Sequence, residues 1–293
     1  MSADNEEQKS RDESLPKDFD LKGYVPHSSY VNSLLTDLYQ LTMAYAYFVN
    51  GAPDQTAVFD LFFRKCPFNG EYTIFAGLDD VLRYLNTFSF TEEQISQLKK
   101  NLKQIKKKKK NDRYFCVKKM MCCHGEMYRF WSYLATVNAS KLRVYAMREG
   151  EVVFPSSPMI RVEGPVAACQ LVETTLLNCV NFASLIATNA ARMCEAVIGR
   201  SKPVQMMEFG LRRAQGPDGA MSASKYAYLG GFDGTSNILA GLTYDIAISG
   251  THAHSFVTTF SSLDQLQFSN DTIRWYDFLT NNNNNLIIII IIN

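Results

Sequence analysis

The chain has 293 residues, of which 46% are hydrophobic, and its formal net charge is +1. This length allows two domains or one large α/β domain, and the hydrophobic fraction is typical of a globular protein. A net charge near zero predicts no strong attraction to nucleic acid or to a membrane, so we expect neither as a partner. The polar N-terminus shows no apolar signal segment, and we expect a cytosolic protein.

The N-terminal part of the sequence predicts a polar tail followed by helices and strands. Residues 1–28 are charged and turn-rich, which is typical of a disordered tail. The segment Leu34–Met43 predicts a helix capped by Thr36 or Asp37. The β-branched and aromatic segment Thr56–Arg64 predicts a strand. We then expect a turn at Pro67–Gly70, a strand at Tyr72–Ala76, a helix at Leu78–Leu85 and a helix opened by a capping box at Thr91–Gln94.

The segment Asn101–Arg129 differs from its surroundings. It holds five consecutive lysines, three cysteines and three methionines, and it shows neither a helical nor a strand period. Cys116, Cys122, Cys123 and His124 could form a zinc site, although adjacent cysteines seldom both reach one metal and no CxxC pair follows. The lysines could instead form a nucleic-acid or nuclear-import patch. Inserted noncoding sequence is a further hypothesis, because codons for Lys, Asn and Ile are rich in A and T.

The central part predicts a strand-rich meander followed by a long helix. We expect strands at Arg143–Met147, Val152–Phe154 and Met159–Val162. The helix has Pro165 as its first residue and ends at Gly199. Polar residues interrupt its apolar sequence, so we expect a buried helix rather than a membrane span. Its cysteines are expected to be reduced core residues.

Beyond residue 200 the pattern alternates between strands and helices. Such alternation predicts a parallel α/β architecture, in which the chemistry gathers at the carboxyl ends of the strands. We therefore expect Glu208–Arg213 and Gly250–Ser255 to lie at candidate catalytic positions. The chain ends in the low-complexity stretch 281–293. The expected elements are strands at Val204–Phe209 and Ile246–Ser249 and helices at Ser222–Leu229 and Ser236–Leu242.

Two segments near these strand ends could bind anions. Arg212 and Arg213 precede a Gly-Pro-Asp-Gly turn, and guanidinium groups match planar carboxylates and phosphates. The alternative is an exposed loop in which the arginines pair with Glu208 and Asp218. The glycine-rich segment Gly230–Asn237 could present backbone N–H groups to an anion, or it could supply ordinary helix N-caps.

Two histidines, His252 and His254, lie close together near the end of this region. A His-x-His pair at a strand end could bind a metal, but that needs further ligands, and no histidine follows position 254. The other use of such a histidine is nucleophilic attack on phosphorus. A structural role in the core is the third possibility, which the polar sequence around the pair weakens.

Six blocks, spread in order over most of residues 33–262, carry a family resemblance, and several are long enough to be specific. The blocks are Leu34–Met43 (LLTDLYQLTM), Phe62–Asp79 (FFRKCPFNGEYTIFAGLD), Glu163–Asn189, Glu208–Gly219 (EFGLRRAQGPDG), Leu229–Asn237 (LGGFDGTSN) and Gly250–Ser255 (GTHAHS). Together they resemble the nicotinate phosphoribosyltransferase family.

The resemblance implies a type II phosphoribosyltransferase fold of the α/β class. Residues 29–165 would form the N-terminal α/β sandwich-like domain, with 101–129 as an insertion. Residues 166–263 would begin an irregular α/β barrel, which is incomplete because its second half is absent. We expect 264–293 to be a tail outside the family.

The resemblance also implies a reaction and its participants. The family joins nicotinate to phosphoribosyl pyrophosphate and gives nicotinate mononucleotide and pyrophosphate, coupled to ATP hydrolysis with Mg²⁺ or Mn²⁺. This is the entry step of NAD synthesis from nicotinic acid. Pyrophosphate is a highly charged leaving group, so the metal and basic side chains must neutralise it. Family active sites are shared across a homodimer.

Individual roles follow from the same resemblance. His254 falls on the position that ATP transiently phosphorylates, whereas the other histidine falls on a variable position. Thr251 and Tyr39 fall on positions that contact nicotinate, with the tyrosine supplied by the neighbouring subunit. Arg212 and Arg213 are expected to serve the substrate carboxylate or the phosphates.

Two alternatives stay open. One is a catalytically inactive chain that can pair with a full-length subunit, because the second half of the barrel is absent. The other is a related pyridine phosphoribosyltransferase that uses quinolinate or nicotinamide. The Leu-Thr-Asp-Leu-Tyr-Gln and Gly-Thr-x-Ala-His-Ser blocks both favour nicotinate.

Overall fold

The computed structural model describes residues 23–108, 124–201, 204–259 and 286–290, and every structural statement below concerns these residues. For 103–108, 124–125, 254, 257 and 286–290 the description covers the backbone only. The three cysteines of the hypothetical zinc site lie outside the described residues.

The described part of the chain contains helices, numbered α1–α8, and strands, numbered β1–β8. The helices are α1 Leu38–Val49, α2 Leu78–Thr87, α3 Glu92–Lys108, α4 His124–Leu134, α5 Val166–Glu195, α6 Gly216–Leu229, α7 Ile238–Tyr244 and α8 His254–Thr259. The strands are β1 Thr56–Leu61, β2 Thr73–Ile74, β3 Arg143–Ala146, β4 Val152–Val153, β5 Ile160–Pro165, β6 Val204–Glu208, β7 Gly234–Thr235 and β8 Leu286–Ile290. Short 3-10 turns occur at Pro67–Asn69, Ala139–Lys141 and Leu211–Arg213.

The helix starts follow the local sequence closely. Asp37 is the N-cap of α1, as expected, although its side chain makes no capping hydrogen bond. The capping box is confirmed, because the Thr91 N–H donates to Gln94 Oε1 at 2.9 Å and the Gln94 N–H donates to Thr91 Oγ1 at 3.2 Å. Ser33 also donates to Gln94 Oε1 at 3.1 Å, which joins the chain before α1 to the start of α3.

The aperiodic segment is helical at both of its ends. α3 runs to Lys108 and α4 begins at His124, so the prediction of no regular structure over Asn101–Arg129 is wrong for residues 101–108 and 124–129. Lysine has a good helix propensity, which lets a helix continue through a basic stretch. The side chain of Leu102 is 4% exposed and contributes to the core.

The strands of the expected meander belong to two sheets. β1, β5 and β3 form an antiparallel sheet with β5 in the centre, whereas β4 pairs with β2. The turn between β3 and β4 explains why β4 pairs with β2 instead of joining the sheet of β3 and β5. The Glu149 carboxylate accepts from the N–H groups of Gly77 at 2.5 Å and Leu78 at 2.9 Å, and the Gly150 N–H donates to the Phe75 carbonyl at 2.8 Å. These bonds hold the turn beside β2.

The long helix α5 lies in both apolar clusters of the core. Its first half, around Leu171 and Val180, packs with α1–α4 and the antiparallel sheet, and its second half, around Ile186, packs with β6 and α6. By length and composition alone α5 could cross a membrane, but 56% of its most apolar window is buried in the structure. This burial agrees with the predicted buried helix. Pro165 is its N-cap rather than its first residue.

Of the cysteines expected in the core, Cys169 is buried, whereas Cys179 and Cys194 are partly buried. Cys66, Cys169, Cys179 and Cys194 are free thiols. Burial raises the pKa of Cys169 to about 11 and that of Cys179 to about 12. Thiols with such pKa values are poor nucleophiles near neutral pH, so these are structural residues.

The predicted parallel architecture is confirmed in the C-terminal part. β6 and β7 pair in parallel and are connected through α6, and β8 pairs in parallel with β6 on its other side. The expected strand at Ile246–Ser249 is reduced to one bridge, between Thr235 and Ile248. The Gly-Pro-Asp-Gly segment was predicted as a turn, but it forms the first turn of α6, where proline is well tolerated.

Candidate functional site

The candidate site lies at the carboxyl edge of the parallel strands. β6 ends at Glu208 and pairs with β7, which ends at Thr235. Ile248 forms a parallel bridge to Thr235, so the segment that follows it leaves the sheet beside β7. The segments Glu208–Arg213 and Gly250–Ser255 therefore follow β6 and the Ile248 segment, which lie on either side of β7 and end at the same edge of the sheet, as predicted.

Glu208 is the centre of a buried hydrogen-bond network at this edge. Only 2% of its surface is exposed. One carboxylate oxygen accepts from the backbone N–H of Gly210, and the other accepts from the hydroxyls of Ser224 at 2.8 Å and Thr235 at 2.7 Å. These neutral donors satisfy the buried carboxylate without a cation. The network ties the end of β6 to α6 and to the end of β7.

Asn237 extends this network to the start of α7. Its backbone N–H donates to Thr235 Oγ1 at 3.0 Å, and its Nδ2 donates to Ser224 Oγ at 3.2 Å. Its Oδ1 accepts from the N–H of Ala240 at 3.3 Å, which makes Asn237 the N-cap of α7. The sequence left two uses open for Gly230–Asn237, an anion-binding segment or a source of helix N-caps, and the structure shows an N-cap at Asn237.

Two glycines of the same segment permit close packing. A Cβ on Gly230 would lie 2.5 Å from the carbonyl oxygen of Ala187 on α5, and a Cβ on Gly234 would lie 2.5 Å from that of Ala247. Such distances are too short for any side chain. Glycine is therefore required where α6 ends against α5 and where β7 meets the segment after α7.

Arg212 and Arg213 lie on the exposed 3-10 turn that follows β6. Pairing of these arginines with Glu208, one alternative from the sequence, is wrong because Glu208 is buried and both of its oxygens accept from neutral donors. Within the described residues neither arginine forms an ion pair with Asp218 or any other carboxylate. Both guanidinium groups can therefore bind an anion at the strand edge.

The Gly-Thr-His-Ala-His-Ser segment follows the Ile248 segment, on the side of β7 away from β6. Thr251 and His252 are exposed, and the His252 ring lies 6.1 Å from the ring of Phe256. His254 is the first residue of α8, and its side chain lies outside the described atoms. The structure thus places Thr251 and the His254 backbone after the Ile248 segment, which is separated by β7 from β6, the strand that precedes the two arginines.

Tyr39, the remaining predicted substrate contact, lies on α1. Its side chain is 49% exposed, and its hydroxyl donates to Glu173 on α5 at 3.4 Å. Burial and the Glu173 carboxylate raise the pKa of this hydroxyl. Among the described residues, the polar neighbours of Tyr39 lie on α5, on α1 and at the N-cap of α1. The single chain therefore does not bring Tyr39 into contact with the described strand-end residues.

A second polar cluster lies where α2 meets α6. The ammonium of Lys225 is 2.9 Å from a carboxylate oxygen of Asp79 and 3.0 Å from one of Asp80. Tyr226 donates to Asp80 at 2.5 Å, and Tyr24 donates to Asp79 at 2.6 Å. Burial disfavours the charge on Asp79, but hydrogen bonds from Tyr24, Lys225 and a neighbouring arginine outweigh burial and lower its pKa to about 2.

The segment before α1 is part of this second cluster. The Arg83 guanidinium lies 4.2 Å from the centre of the Tyr24 ring, and Asn86 donates to the Tyr24 carbonyl at 2.8 Å. Arg83 also pairs with Asp79 at 2.9 Å. Residues 23–28 were predicted as the end of a disordered tail, and these contacts correct that prediction for Tyr24.

One group in the described part of the chain has ligand types and spacing suited to a metal. Ligand atoms of His27, Asp79 and Asp80 lie within 4.8 Å of one another. However, the Lys225 ammonium contacts both carboxylates and already supplies a positive charge. Burial, with Arg83 and Lys225 nearby, lowers the pKa of His27. Because Mg²⁺ prefers oxygen ligands and retains several waters, this group does not fit it.

Two family models match the chain. The model of the nicotinate phosphoribosyltransferase N-terminal domain matches residues 34–181, and the nicotinate phosphoribosyltransferase family model matches residues 204–289. The chain belongs to the nicotinate phosphoribosyltransferase family. The predicted family is thereby confirmed, and the second match includes all of the strand-end segments described above.

Curated members of the nicotinate phosphoribosyltransferase family are much longer than this chain. The nicotinate phosphoribosyltransferase of Dictyostelium discoideum is 52% identical over 241 residues, which are 82% of this chain and 37% of that protein. The human nicotinate phosphoribosyltransferase is 42% identical over 228 residues, which are 78% of this chain and 38% of that protein. The chain therefore spans less than two fifths of the length of these relatives.

Solved structures confirm the fold class. The structure of human nicotinic acid phosphoribosyltransferase is similar with a TM-score of 0.63 and 41% identity, covering 81% of this chain and 42% of that one. A nicotinate-nucleotide pyrophosphorylase from Pyrococcus furiosus shows the same fold with a TM-score of 0.54 and 22% identity. The chain thus has part of a type II phosphoribosyltransferase fold, and the domain bounds at 165 and 263 stay predictions.

The sequence did not indicate the network around Glu208. Ser224 and Thr235 lie 16 and 27 residues away from Glu208, so no local spacing connects them. The available signal was a glutamate directly after the apolar pair Met206-Met207 at the end of a predicted buried strand. A charged residue in that position is rarely buried without partners, which marks it as a member of a network.

Proposed function

We propose that this chain is part of an enzyme that joins nicotinate to phosphoribosyl pyrophosphate, giving nicotinate mononucleotide and pyrophosphate with ATP hydrolysis, in NAD biosynthesis. Family membership supports the proposal. The observation that carries it is the strand edge where exposed Arg212 and Arg213 follow β6 and Thr251, just before His254, follows the Ile248 segment on the other side of β7. Guanidinium groups suit both the nicotinate carboxylate and the phosphates.

Each of these residues has a proposed task. A neutral imidazole nitrogen of His254 attacks the terminal phosphorus of ATP, a P–N bond forms, and ADP leaves with the electrons of the broken P–O bond. The Thr251 hydroxyl hydrogen-bonds nicotinate. Arg212 and Arg213 offset negative charge on the nicotinate carboxylate or on the departing pyrophosphate. The phosphohistidine adds charge to the site, so hydrolysis of ATP can favour product formation.

Magnesium or manganese is proposed as a cofactor only on the strength of the family resemblance. The His27, Asp79 and Asp80 group does not fit the ion because Lys225 already contacts both carboxylates. The proposed steps therefore assign no metal ligand to this chain and route nothing through the ion.

Tyr39 is proposed to contact nicotinate in the active site of a second subunit of a homodimer. Its exposed side chain on α1 supports this role, because an exposed aromatic ring on a helix is free to pack on another chain. A cytosolic location and the absence of nucleic-acid and membrane partners stay expectations from the sequence.

Phosphorylation of His254 tests the proposal directly. The purified chain is incubated with ATP labelled on its terminal phosphate, and acid-labile, base-stable protein label is measured. The expected result is label on the unchanged chain and none on His254→Ala. The matched control is His252→Ala, which removes a histidine from the same exposed segment and should retain the label.

Equal labelling of the His254→Ala variant would reject the role of this residue. A parallel assay supplies nicotinate, phosphoribosyl pyrophosphate and ATP and measures nicotinate mononucleotide. The full-length Dictyostelium relative, which is 52% identical in the shared region, serves as the positive control.

A second candidate is a chain that is inactive alone. The coverage of 37% of a curated relative favours this candidate, together with large exposed apolar side chains in the C-terminal part. The assay with all three substrates separates the two candidates. Product formed by the chain alone supports an active enzyme, whereas labelled His254 without product supports a fragment that needs a further segment.

A further inference from the structure

Polar side chains cross the largely apolar contact between α1 and α5. Gln40 on α1 is fully buried, and Gln170 on α5 is 4% exposed. Gln170 Nε2 donates to Gln40 Oε1, and Gln40 Nε2 donates to Thr174 Oγ1 at 3.2 Å. The same helices contribute apolar residues such as Leu41 and Leu171 to the core. Buried amides in such surroundings are costly unless they are hydrogen-bonded, and these two amides bond to each other across the helices.

The Gln170 amide also leads to Tyr39, the exposed neighbour of Gln40 in the chain. Gln170 Nε2 carries two hydrogens, and besides Gln40 it donates to Glu173 Oε2 at 2.6 Å. The other oxygen of this carboxylate, Glu173 Oε1, accepts from the Tyr39 hydroxyl at 3.4 Å. The bonds therefore form a closed loop that runs from Tyr39 through Glu173 and Gln170 to Gln40. Gln170 and Glu173 are three residues apart, so they share one face of α5.

This loop specifies how α1 lies on α5. A shift or rotation of α1 would leave Gln40 or Gln170 buried without a partner, which is unfavourable. Buried polar pairs are best attested as a means of fixing helix register. The Thr175 hydroxyl adds a bond to the Leu35 carbonyl at 2.5 Å, just before α1. Because Tyr39 directly precedes Gln40, the buried amides also fix the direction in which the Tyr39 side chain leaves the helix.

The Tyr39 side chain itself is positioned by Glu173. Tyr39 is 49% exposed, so that without a polar contact its ring could adopt several rotamers. Glu173 is half-buried, and its carboxylate is held by the buried Gln170 amide. A hydroxyl whose direction is already fixed loses less conformational freedom when it binds a ligand.

We infer that Glu173 is a positioning residue, which holds the Tyr39 hydroxyl in the direction needed for contact with nicotinate in the neighbouring subunit. The Gln40–Gln170 bridge holds the helix on which Tyr39 lies. This inference rests on the proposed role of Tyr39. Glu173 acts through Tyr39 and does not itself touch the substrate.

Replacement of Glu173 by glutamine separates this role from a structural one. Glutamine has almost the same shape but only one acceptor oxygen. The buried Gln170 amide needs that oxygen, whereas the exposed Tyr39 hydroxyl can bond to water instead. Glu173→Gln should therefore release Tyr39 and leave α1 in place on α5. The circular dichroism spectrum and the melting temperature should match those of the unchanged chain.

Titration of Tyr39 in the full chain measures this release. 3-Fluorotyrosine is incorporated at position 39 alone, and its phenol is titrated by fluorine NMR. Burial, the Glu173 carboxylate and Asp37 raise the pKa of Tyr39. Glu173→Gln removes both a charge and a hydrogen bond, so it should lower the titration midpoint. The matched control is Asp37→Asn, which removes a nearby charge from a side chain that makes no capping hydrogen bond. The decrease in Glu173→Gln should be at least about twice that in Asp37→Asn.

An unchanged midpoint in Glu173→Gln, or a decrease no larger than that of the control, would overturn the inference. So would a lower melting temperature with an unchanged midpoint, because that result is typical of a structural role. In the assay with nicotinate, phosphoribosyl pyrophosphate and ATP, Glu173→Gln should raise the KM for nicotinate several-fold and leave kcat nearly unchanged. An unchanged KM would also overturn the inference. Absence of product from the unchanged chain would instead count against the proposed function, and the titration would still decide whether Glu173 holds Tyr39.

Discussion

The two polar clusters of this chain hold their carboxylates in opposite ways. Glu208 is 2% exposed and, among the described residues, accepts from neutral donors alone, namely the Gly210 N–H and the hydroxyls of Ser224 and Thr235. Asp79 has a side chain that is 27% exposed, and it contacts two cations, Arg83 and Lys225. The buried carboxylate thus depends on the geometry of its donors, whereas the more exposed one depends on charge.

The difference matches what each cluster connects. The Glu208 network joins elements of the C-terminal part, β6, α6 and β7, and so determines where the strand-end residues lie. The Asp79 cluster joins α2 and the segment at Tyr24 to Lys225 on α6, which links the two apolar clusters of the core. Neutral hydrogen bonds suit a site that needs fixed geometry, because each donor is directional. Ion pairs tolerate more movement and suit a contact between layers.

The largest expected effect comes from Glu208→Ala. This change leaves the Gly210 N–H and the Thr235 hydroxyl without their carboxylate acceptor, whereas the Ser224 hydroxyl keeps the Ala220 carbonyl at 3.1 Å, and each unsatisfied buried group costs about 1–3 kcal/mol. We expect the free energy of unfolding in urea to fall by about 3 kcal/mol or more. Glu208→Gln is the comparison variant, because it keeps the shape and one acceptor oxygen but replaces the other oxygen with an N–H₂ donor, so its free energy of unfolding should fall by less than that of Glu208→Ala. A loss below about 1 kcal/mol for Glu208→Ala would contradict the central role of this network.

Local features of the fold were predictable from the sequence. The start of α3 follows from Thr91 and Gln94, whose reciprocal bonds involve residues three apart. The strand–helix alternation after residue 200 gave the parallel pairing of β6 and β7. These predictions succeeded because the deciding interactions are short-range in the chain.

Long-range features were not predictable in the same way. The placement of β4 beside β2 depends on Glu149, whose partners Gly77 and Leu78 lie 72 and 71 residues away. One alternative for the strand-end arginines was an ion pair with Glu208, yet Glu208 is buried and has its own donors. For the candidate site, the sequence indicated the edge and its residues, but the network that organises the edge needed the structure.

Lys225→Met tests the charged cluster. The change leaves the carboxylates of Asp79 and Asp80 without the ammonium that lies 2.9 and 3.0 Å from them. Full burial would make such a loss about 3–5 kcal/mol, but solvent screens these partly exposed groups, so we expect about 1–2 kcal/mol. The measurement is urea unfolding at neutral pH. The double variant with Asp79→Asn should recover part of the loss, and a loss that equals that of Glu208→Ala would remove the distinction between the clusters.

The pH dependence of stability should come from the charged cluster. Asp79 has a folded pKa of about 2, below its ordinary value of 3.8. A carboxyl group with a lowered pKa stabilises the fold fully above its unfolded pKa, and that contribution disappears as the pH falls through its folded pKa. We therefore expect the Asp79 contribution to be lost between about pH 4 and pH 2. Unfolding measured across this window should show a smaller decrease in Asp79→Asn than in the unchanged chain, and identical decreases would contradict the assignment.

The smallest expected effect comes from Tyr24→Phe, which removes one neutral donor from the Asp79 carboxylate. The lost bond is 2.6 Å long, and water and the two cations can replace it because Asp79 is partly exposed. We expect a loss of about 0.5 kcal/mol in the free energy of unfolding. Ser224→Ala is the matched control, since it removes one hydroxyl from the buried Glu208 carboxylate, where no water can replace it, and should cost about 1–2 kcal/mol. If Tyr24→Phe cost as much as Ser224→Ala, donor geometry rather than burial and charge would govern both clusters.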